Sequence, residues 1–246
     1  MNTKLMLSAL ALAGVAAFTF AQEAAPAGDE GIKTKVVLGA TVTDGNSETT
    51  QLNGGILVDG RVPDTCELHA GAEGNYSEDR KEDNKTVQNA KVFADAKKDI
   101  AAGWFGALNA SYFHDKIADV DYRVTVGPAI GHYLVDNDTV RLSAEVGPSY
   151  VWEEVADETD DYLAFRAAER LDWTISGTAT AWEQVEYLLN TEDTDNYLLN
   201  AEVGVESAIS ERLALRVVFK DSYNSNPADG NDENDISVVT ALSVTL

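Results

Sequence analysis

The chain has 246 residues, with 42 Asp and Glu against 18 Lys and Arg and a formal net charge of −24 at pH 7. This acidic balance argues against a nucleic-acid partner, because binding phosphates requires a basic surface. The one cysteine, Cys66, excludes an intramolecular disulfide, and we interpret it as a small residue near a turn because no activating partner for a catalytic thiol is recognisable.

Residues 1–21 have the pattern of a secretory signal peptide. A short basic start is followed by an apolar run through Phe20, and small residues precede a cut after Ala21. The run is short and rich in alanine for a transmembrane anchor, which is the alternative interpretation. A polar leader at residues 22–31 follows, and residues 32–246 form the predicted domain. The domain lacks the ~18 consecutive apolar residues of a spanning helix, so it would cross a membrane only as a closed barrel.

Six acidic clusters recur at nearly even intervals along the domain. They are Asp44 to Glu48, Glu78 to Asp83, Asp115 to Asp121, Glu153 to Asp161, Glu192 to Asp195, and Asp229 to Asp235. Their midpoints lie roughly 35 to 39 residues apart, and such a period indicates one structural unit used repeatedly. One further break lies between each pair of clusters, at residues 62–64, 99–103, 136–138, 174–177 and 210–212. Eleven turns therefore predict twelve strands of roughly 11 to 15 residues, close to the ~9–11 that cross a bilayer as tilted strands.

The predicted strands alternate between an apolar face and a polar or small face. In the segment from Val120 to Leu134 the apolar face carries Tyr122, Val124, Val126, Pro128 and Ile130, and the other carries Arg123, Thr125, Gly127, Ala129 and Gly131. We expect the apolar face to contact lipid. The pairs Gly127-Pro128 and Gly147-Pro148 lie inside strands, where proline removes a ladder hydrogen bond, so they predict bulges or local kinks.

Aromatic residues favour the two rims of the predicted barrel. Eight of the nine tyrosines lie near the acidic-cluster ends of their segments, and Trp104 and Trp173 lie at the opposite rim. Such belts are typical of the two membrane interfaces. The sequence thus predicts an all-β, antiparallel up-and-down transmembrane β-barrel of 12 strands, with both termini on the periplasmic side and the acidic clusters outside.

Two stretches carry a family resemblance. They are residues 45–52 (GNSETTQL) and residues 127–148, which contain both Gly-Pro pairs, and they resemble the salt-induced outer-membrane protein family over about residues 32–246. The resemblance implies a bacterial outer-membrane barrel of largely unknown function, with a link to salt stress and no agreed catalytic residues. It also implies outer-membrane lipid and the barrel-assembly machinery as partners. The chain departs from the usual pattern in ending on Leu246 rather than an aromatic residue, and in its acidic loops.

Charges of both signs recur on the polar faces. The predicted lumen charges are Arg123, Arg141, Glu145, Arg166, Arg170, Glu186, Glu202, Glu206, Arg216 and Lys220. Interleaved signs on neighbouring strands predict ion-pair ladders inside the barrel. Two interpretations stay open, an ion-selective constriction and a structural network in a barrel too narrow for an open channel.

The acidic loops are candidate sites for Mg²⁺ or Ca²⁺ that would bridge to anionic lipopolysaccharide. The candidate ligands are Asp157, Glu158, Asp160, Asp161, Asp229, Asp232, Glu233 and Asp235. They are hard oxygen ligands, but they lack the order of acidic residues and glycine that defines a calcium loop. The alternative is that the loops are solvated and repel one another.

The sequence predicts neither an enzyme nor a cofactor. It contains no nucleophile elbow, zinc-protease helix, phosphate loop or dinucleotide fingerprint. Ser111, His114 and Asp115 lie near an outer rim, yet their spacing does not establish a catalytic arrangement. We interpret His69 and His132 as packed residues of the rim or wall.

We therefore expect an exported outer-membrane barrel protein with a structural, envelope- or salt-adaptation, or weak pore role. The alternative is a soluble exported β-protein, either a sandwich or a ligand-binding barrel, in which the apolar face would form the core. Runs of small residues on the polar faces favour an enclosed lumen.

Overall fold

The computed structural model describes residues 31–42, 48–62 and 65–246. The predicted signal peptide, most of the leader and most of the first acidic cluster lie outside these ranges. Within these ranges, no helix is long and apolar enough to cross a membrane.

Twelve antiparallel strands form one closed barrel, in which each strand pairs with its sequence neighbours and the last pairs with the first. They are β1 (Gly31–Val42), β2 (Thr49–Val62), β3 (Cys66–Asp79), β4 (Asn84–Ala101), β5 (Trp104–Asp115), β6 (Val120–Asp136), β7 (Val140–Val155), β8 (Glu158–Ser176), β9 (Ala179–Asn190), β10 (Tyr197–Ala208), β11 (Leu213–Asn224) and β12 (Asn234–Thr245). The predicted barrel and its strand number are confirmed, and the sandwich alternative is wrong.

Eight strands have 12 to 14 residues, within the predicted length, whereas β4, β6, β7 and β8 have 16 to 19 residues and are longer than the sequence predicts. The largest difference is at β7 and β8, which continue through most of an acidic cluster to a tight turn at Ala156 and Asp157. Both turn residues have positive φ, of 53° and 63°. Two consecutive residues with positive φ match the twist of the flanking strands, so a hairpin can persist to its tip.

The connections divide between two rims. One rim holds the connections after β1, β3, β5, β7, β9 and β11. We call it the acidic rim, because five acidic clusters lie there, together with Glu48 at the end of the first cluster. We call the opposite rim the terminal rim, because β1 begins and β12 ends there. All the predicted breaks fall at these rims.

The outer face of the wall is apolar and the inner face is polar. Large exposed side chains of the outer face include Leu38, Ile56, Val92, Leu108, Ile130, Val146, Phe165, Val203, Phe219 and Leu242. Buried polar side chains of the inner face include Glu73, Asn109, Ser149, Arg166, Glu202, Arg216 and Lys220. A soluble ligand-binding barrel would have the opposite arrangement, with apolar residues buried. Tyr162 differs from the other tyrosines near the acidic rim in being buried on the inner face.

The two Gly-Pro pairs lie opposite each other in β6 and β7. Val126 pairs with Tyr150 and Ile130 pairs with Val146, so the register is unchanged on either side of the prolines. Of the predicted bulges or local kinks, neither pair forms a bulge. The ladder is interrupted without an inserted residue, because proline has no N–H to donate and Gly127 lets the strands approach closely. A Cβ there would lie 2.3 Å from the carbonyl oxygen of Pro148.

Three aromatic rings lie flat against inner-face glycines on the adjacent strand. Phe93 lies against Gly71, Phe105 against Gly131 and Trp182 against Gly204, and each pair is directly opposed in the ladder. A Cβ on Gly204 would lie 1.9 Å from the Trp182 ring. The missing side chains therefore make room for these rings on the inner face of the wall.

Candidate functional site in the lumen

A central layer of side chains fills the lumen between the two rims. We define it as Val37, Leu57, Trp182, Glu206 and Arg216. Val37, Leu57 and Arg216 have no exposed surface. Close packing of this kind excludes water from the middle of the barrel.

The ionic part of the central layer is centred on Glu206. Lys35 Nζ lies 2.9 Å from Glu206 Oε1, and Arg216 Nη1 lies 3.7 Å from Glu206 Oε2. The Ser243 hydroxyl donates to the same carboxylate at 3.1 Å. The Arg216 guanidinium stacks over the Trp182 ring at 4.2 Å, a cation–π contact. Two cations and a hydroxyl thus compensate one buried carboxylate, which buried charges require.

A second network crosses the lumen from β4 to β9. Glu145 accepts from Arg166 at 2.6 Å and lies 3.2 Å from Lys97. Arg166 also donates to Glu186 at 2.7 Å, and Arg170 contacts Asp172 at 2.5 Å and Gln184 at 3.2 Å. Acidic and basic residues therefore alternate around this side of the inner wall.

The remaining predicted lumen charges also lie on the inner face. Arg123 is paired with Glu153, and Arg141 lies 3.5 Å from Glu67. Glu202 lies 3.4 Å from Lys220, and the Trp182 indole donates to Glu202 at 2.8 Å. All ten charges make ion pairs or charge-assisted hydrogen bonds inside the barrel, which is the arrangement expected of the predicted ladders.

An asparagine ladder was missed by the sequence reasoning. Asn53 donates to Asn75 at 2.9 Å, Asn75 donates to Asn89 at 2.9 Å, and Asn89 donates to Asp115 at 3.1 Å. These residues are directly opposed on β2 to β5. The available signal was a polar residue at an inner-face position on each of four successive strands.

A second polar row lies on the same four strands. Asp59, His69, Asp95 and Asn109 are directly opposed in turn from β2 to β5. His69 Nδ1 makes a short hydrogen bond to Asp59, and Asn109 Nδ2 donates to Asp95 at 2.8 Å. The interpretation of His69 as a simple wall residue therefore missed its place in this row. His132 does pack in the wall, with its ring edge-on to Trp104 at 4.6 Å.

Ser111, His114 and Asp115 do not form the catalytic arrangement of a hydrolase. Ser111 and Asp115 belong to the inner face, whereas His114 alternates to the outer face and its Nδ1 contacts the carbonyl oxygen of Asp121 at 2.8 Å. Asp115 is engaged by Asn89. No nucleophile–base pair is formed by these three residues.

Among the described residues, one group of three carboxylates converges at the acidic rim. The ligand oxygens of Asp121, Glu154 and Asp157 lie within 4.8 Å of one another. Of the predicted cation ligands, Asp157 alone belongs to this group. The others are separate from it: Glu158, Asp160 and Asp161 begin β8, Asp229, Asp232 and Glu233 lie in the loop before β12, and Asp235 is in β12.

Two cavities approach the central layer from opposite rims. The upper chamber, of about 160 Å³, extends from Asp115 and Asp235 at the acidic rim down to His69 and Glu202. The lower vestibule, of about 180 Å³, lies at the terminal rim between Glu67, Lys97 and Tyr133. Glu202 contacts Trp182, and both Lys97 and Tyr133 contact Phe105, at 5.0 Å and 4.8 Å. The upper chamber therefore ends against the central layer, and the lower vestibule ends against Phe105.

Comparisons with known proteins agree with this architecture. A family model described as a protein of unknown function, DUF481, matches residues 36–246. The NanC porin structure is 9% identical, with 86% of this chain and 99% of that chain covered and a TM-score of 0.55. An outer-membrane channel from Pseudomonas putida F1 is also 9% identical, with 93% and 99% covered and a TM-score of 0.55. No curated protein matches the chain in sequence. At this identity the structural likeness establishes the barrel fold alone.

Proposed function

Because the chain belongs to the DUF481 family, whose function is unknown, we propose from its geometry that it is a bacterial outer-membrane barrel acting as a weak pore. The observation that carries this proposal is the central layer, which closes the upper chamber from below. The barrel itself supplies the structural role in the envelope, and the layer limits what passes through it.

The outer wall supports a membrane location. Val126, Ile130 and Val146 are exposed on adjoining strands, and the same apolar surface continues around most of the barrel. A soluble monomer rarely exposes contiguous apolar patches of more than a few hundred Å². Exposed Trp152 near the acidic rim and Trp104 near the terminal rim suit the two interfaces. Lipid therefore covers this surface better than water does.

The central layer explains why the pore is weak. An ion crossing it would have to displace the Arg216 side chain from Trp182 and share Glu206 with Lys35. The porin and the channel named above share the barrel fold. A shared fold is compatible with a pore in this chain, but it is not evidence that the chain conducts. The described lumen favours rare, small conductance events over a permanent aqueous channel.

The test is conductance of the purified barrel in planar lipid bilayers. We expect the wild type to show small, infrequent openings and Trp182→Ala to show larger and more frequent ones, because the ring is buried in the lumen in one cluster with Val37 and Leu57. Trp173→Ala is the matched control, since that ring is exposed on the outer wall. Wild-type conductance already as large as that of Trp182→Ala would refute the closing role of the layer.

The membrane location has its own test. The native protein should fractionate with the outer membrane and migrate differently on a denaturing gel before and after heating. Recovery in the soluble periplasmic fraction, with no heat-modifiable band, would overturn the proposed location.

The proposed partners are lipid, lipopolysaccharide and the barrel-assembly machinery. Convergence of Asp121, Glu154 and Asp157 supports including Mg²⁺ or Ca²⁺ at the acidic rim. The link to salt stress stays a prediction of the family resemblance. We propose no catalytic role, and the two structural neighbours are a porin and a channel by their names.

A further inference from the structure

The floor of the upper chamber presents a buried polar surface that the weak-pore proposal does not use. His69, Asp95 and Asn109 line the chamber, and they are consecutive members of the polar row across β3, β4 and β5. Directly opposed residues have Cβ atoms about 4.5–5.5 Å apart, so the three side chains form one continuous patch.

Two atoms of this patch are buried without a partner. His69 is 3% exposed and its Nε2 makes no hydrogen bond, while Asn109 is 8% exposed and its Oδ1 makes none. The orientation of the Asn109 amide is set by its neighbours, because Nδ2 donates to Asp95 at 2.8 Å and to Glu145 at 3.4 Å. Its oxygen must therefore face away from both carboxylates. Buried polar atoms are normally satisfied, so both atoms indicate a missing donor.

Hydrogen-bond roles in the row make the patch a set of acceptors. The Asp59 carboxylate contacts His69 Nδ1, and in the tautomer with its proton on Nδ1 the ring presents Nε2 to the chamber as an acceptor. The Asp95 carboxylate and the Asn109 oxygen are acceptors as well. Two nearby cations also serve other carboxylates, since Arg166 is bound by Glu145 and Glu186 and Lys97 lies against Glu145.

A group that satisfies this patch must bring several N–H donors and a positive charge. A primary ammonium carries three donors on one compact cation and no acceptor. A metal ion is disfavoured here, because the ligand atoms of Asp59, His69 and Asp95 do not form a group within 4.8 Å as those of Asp121, Glu154 and Asp157 do. The acidic rim above the chamber would concentrate cations at its mouth.

We propose that the upper chamber is a binding site for a small primary amine in its protonated form. The ammonium enters from the acidic rim and donates to Asp95, Asn109 and His69. The chamber volume of about 160 Å³ accommodates a short alkyl or similarly small substituent. This inference rests on the proposed function only in requiring a chamber closed below by the central layer.

The test is calorimetric titration of the full chain, folded in detergent micelles, with n-propylammonium chloride. We expect saturable binding of propylammonium and none of tetramethylammonium, which carries the same charge without an N–H donor. Asp95→Asn should weaken propylammonium binding at least tenfold. Asp160→Asn at the acidic rim is the matched control, because it removes the same charge from an exposed position, and it should leave affinity within about twofold.

A second variant keeps the test valid if Asp95→Asn does not fold. Asn109→Ala removes one proposed acceptor without changing charge, and it too should weaken binding of propylammonium. Equal binding of the two ammonium ions, no saturable binding to the wild type, or equal losses in Asp160→Asn and Asp95→Asn would overturn the proposal. Binding in micelles and conductance in bilayers are separate measurements, so a chain that shows small, rare openings but does not bind propylammonium would refute the amine site and leave the weak pore standing.

Discussion

Carboxylates of the lumen and carboxylates of the acidic rim are the same chemical groups in opposite environments. Glu145 and Glu206 are buried and each is held by two cations. Glu158 and Asp160 at the acidic rim are exposed to solvent. A buried charge is tolerated only when it is paired, whereas an exposed pair contributes little because water and salt screen it. Loss of a partner should therefore matter greatly in the lumen and little at the rim.

Two glutamates on the outer wall fit neither case. Glu169 lies between Ala144 and Val185 on adjoining strands, and Glu183 lies between Leu171 and Val203. Both are exposed on the apolar face, where the proposed lipid would contact them. They offer a third environment in which the comparison can be tested.

The largest expected effect is loss of a buried cation. Arg216→Ala leaves Glu206 with one cation fewer and removes the group stacked on Trp182, and breaking a buried pair costs about 3–5 kcal/mol. Arg212→Ala, in an exposed turn, should change the free energy of unfolding by less than about 0.5 kcal/mol. Urea unfolding in micelles measures both. Equal effects would mean that burial does not distinguish the two arginines.

A charge added to the outer wall should have the next largest effect. Val126→Arg places a cation on the apolar face, at a cost of about 2–4 kcal/mol near the bilayer midplane. Deletion of residues 227–230 removes only part of an acidic-rim loop and should leave assembly intact. Folding yield into lipid vesicles is the measurement. Normal assembly of Val126→Arg together with failure of the loop deletion would show that the faces are assigned wrongly.

Removal of the outer-wall carboxylates should stabilise the barrel in lipid. The double variant Glu169→Leu, Glu183→Leu should gain less than the ~2–4 kcal/mol that a basic residue costs, because acidic residues cost less. Glu211→Leu in an exposed turn serves as the control and should give no gain. Unfolding from lipid vesicles reports the difference. A loss of stability in the double variant would show that the two carboxylates stabilise the barrel in lipid, contrary to what we expect of charges on the outer wall.

The smallest expected effect is at the acidic rim. Changing Asp157, Glu158, Asp160 and Asp161 to Asn or Gln should raise the thermal unfolding temperature at low salt, because exposed like charges repel most when screening is weak. The variant should also gain less stability from added Mg²⁺ than the wild type does. Thermal unfolding in micelles across a salt and Mg²⁺ series is the measurement, with Asp138→Asn at the terminal rim as control. Superimposable curves for the four-residue variant and the wild type would show that the carboxylates of this cluster are simply solvated and do not affect stability.

The strand number, the turns and the faces could be predicted from the sequence because each depends on local chemistry. Alternation of Arg141, Ser143 and Glu145 with Leu142 and Ala144 specifies an inner and an outer face wherever the strand ends up. Turn residues mark the rims for the same reason. The tertiary structure changed little of this, apart from the length of the strands and the unshifted register at Pro128 and Pro148.

Contacts across the lumen were decided by the tertiary structure alone. Glu206 belongs to the inner face on sequence grounds, but only closure of β12 on β1 brings Lys35, 171 residues away in the chain, within 2.9 Å of it. The polar row and the asparagine ladder likewise depend on register, which is set by turn geometry and by closure of the whole sheet. Whether a residue lies on the inner or the outer face depends on its own strand alone, whereas its contact partner inside the lumen depends on closure of the whole barrel.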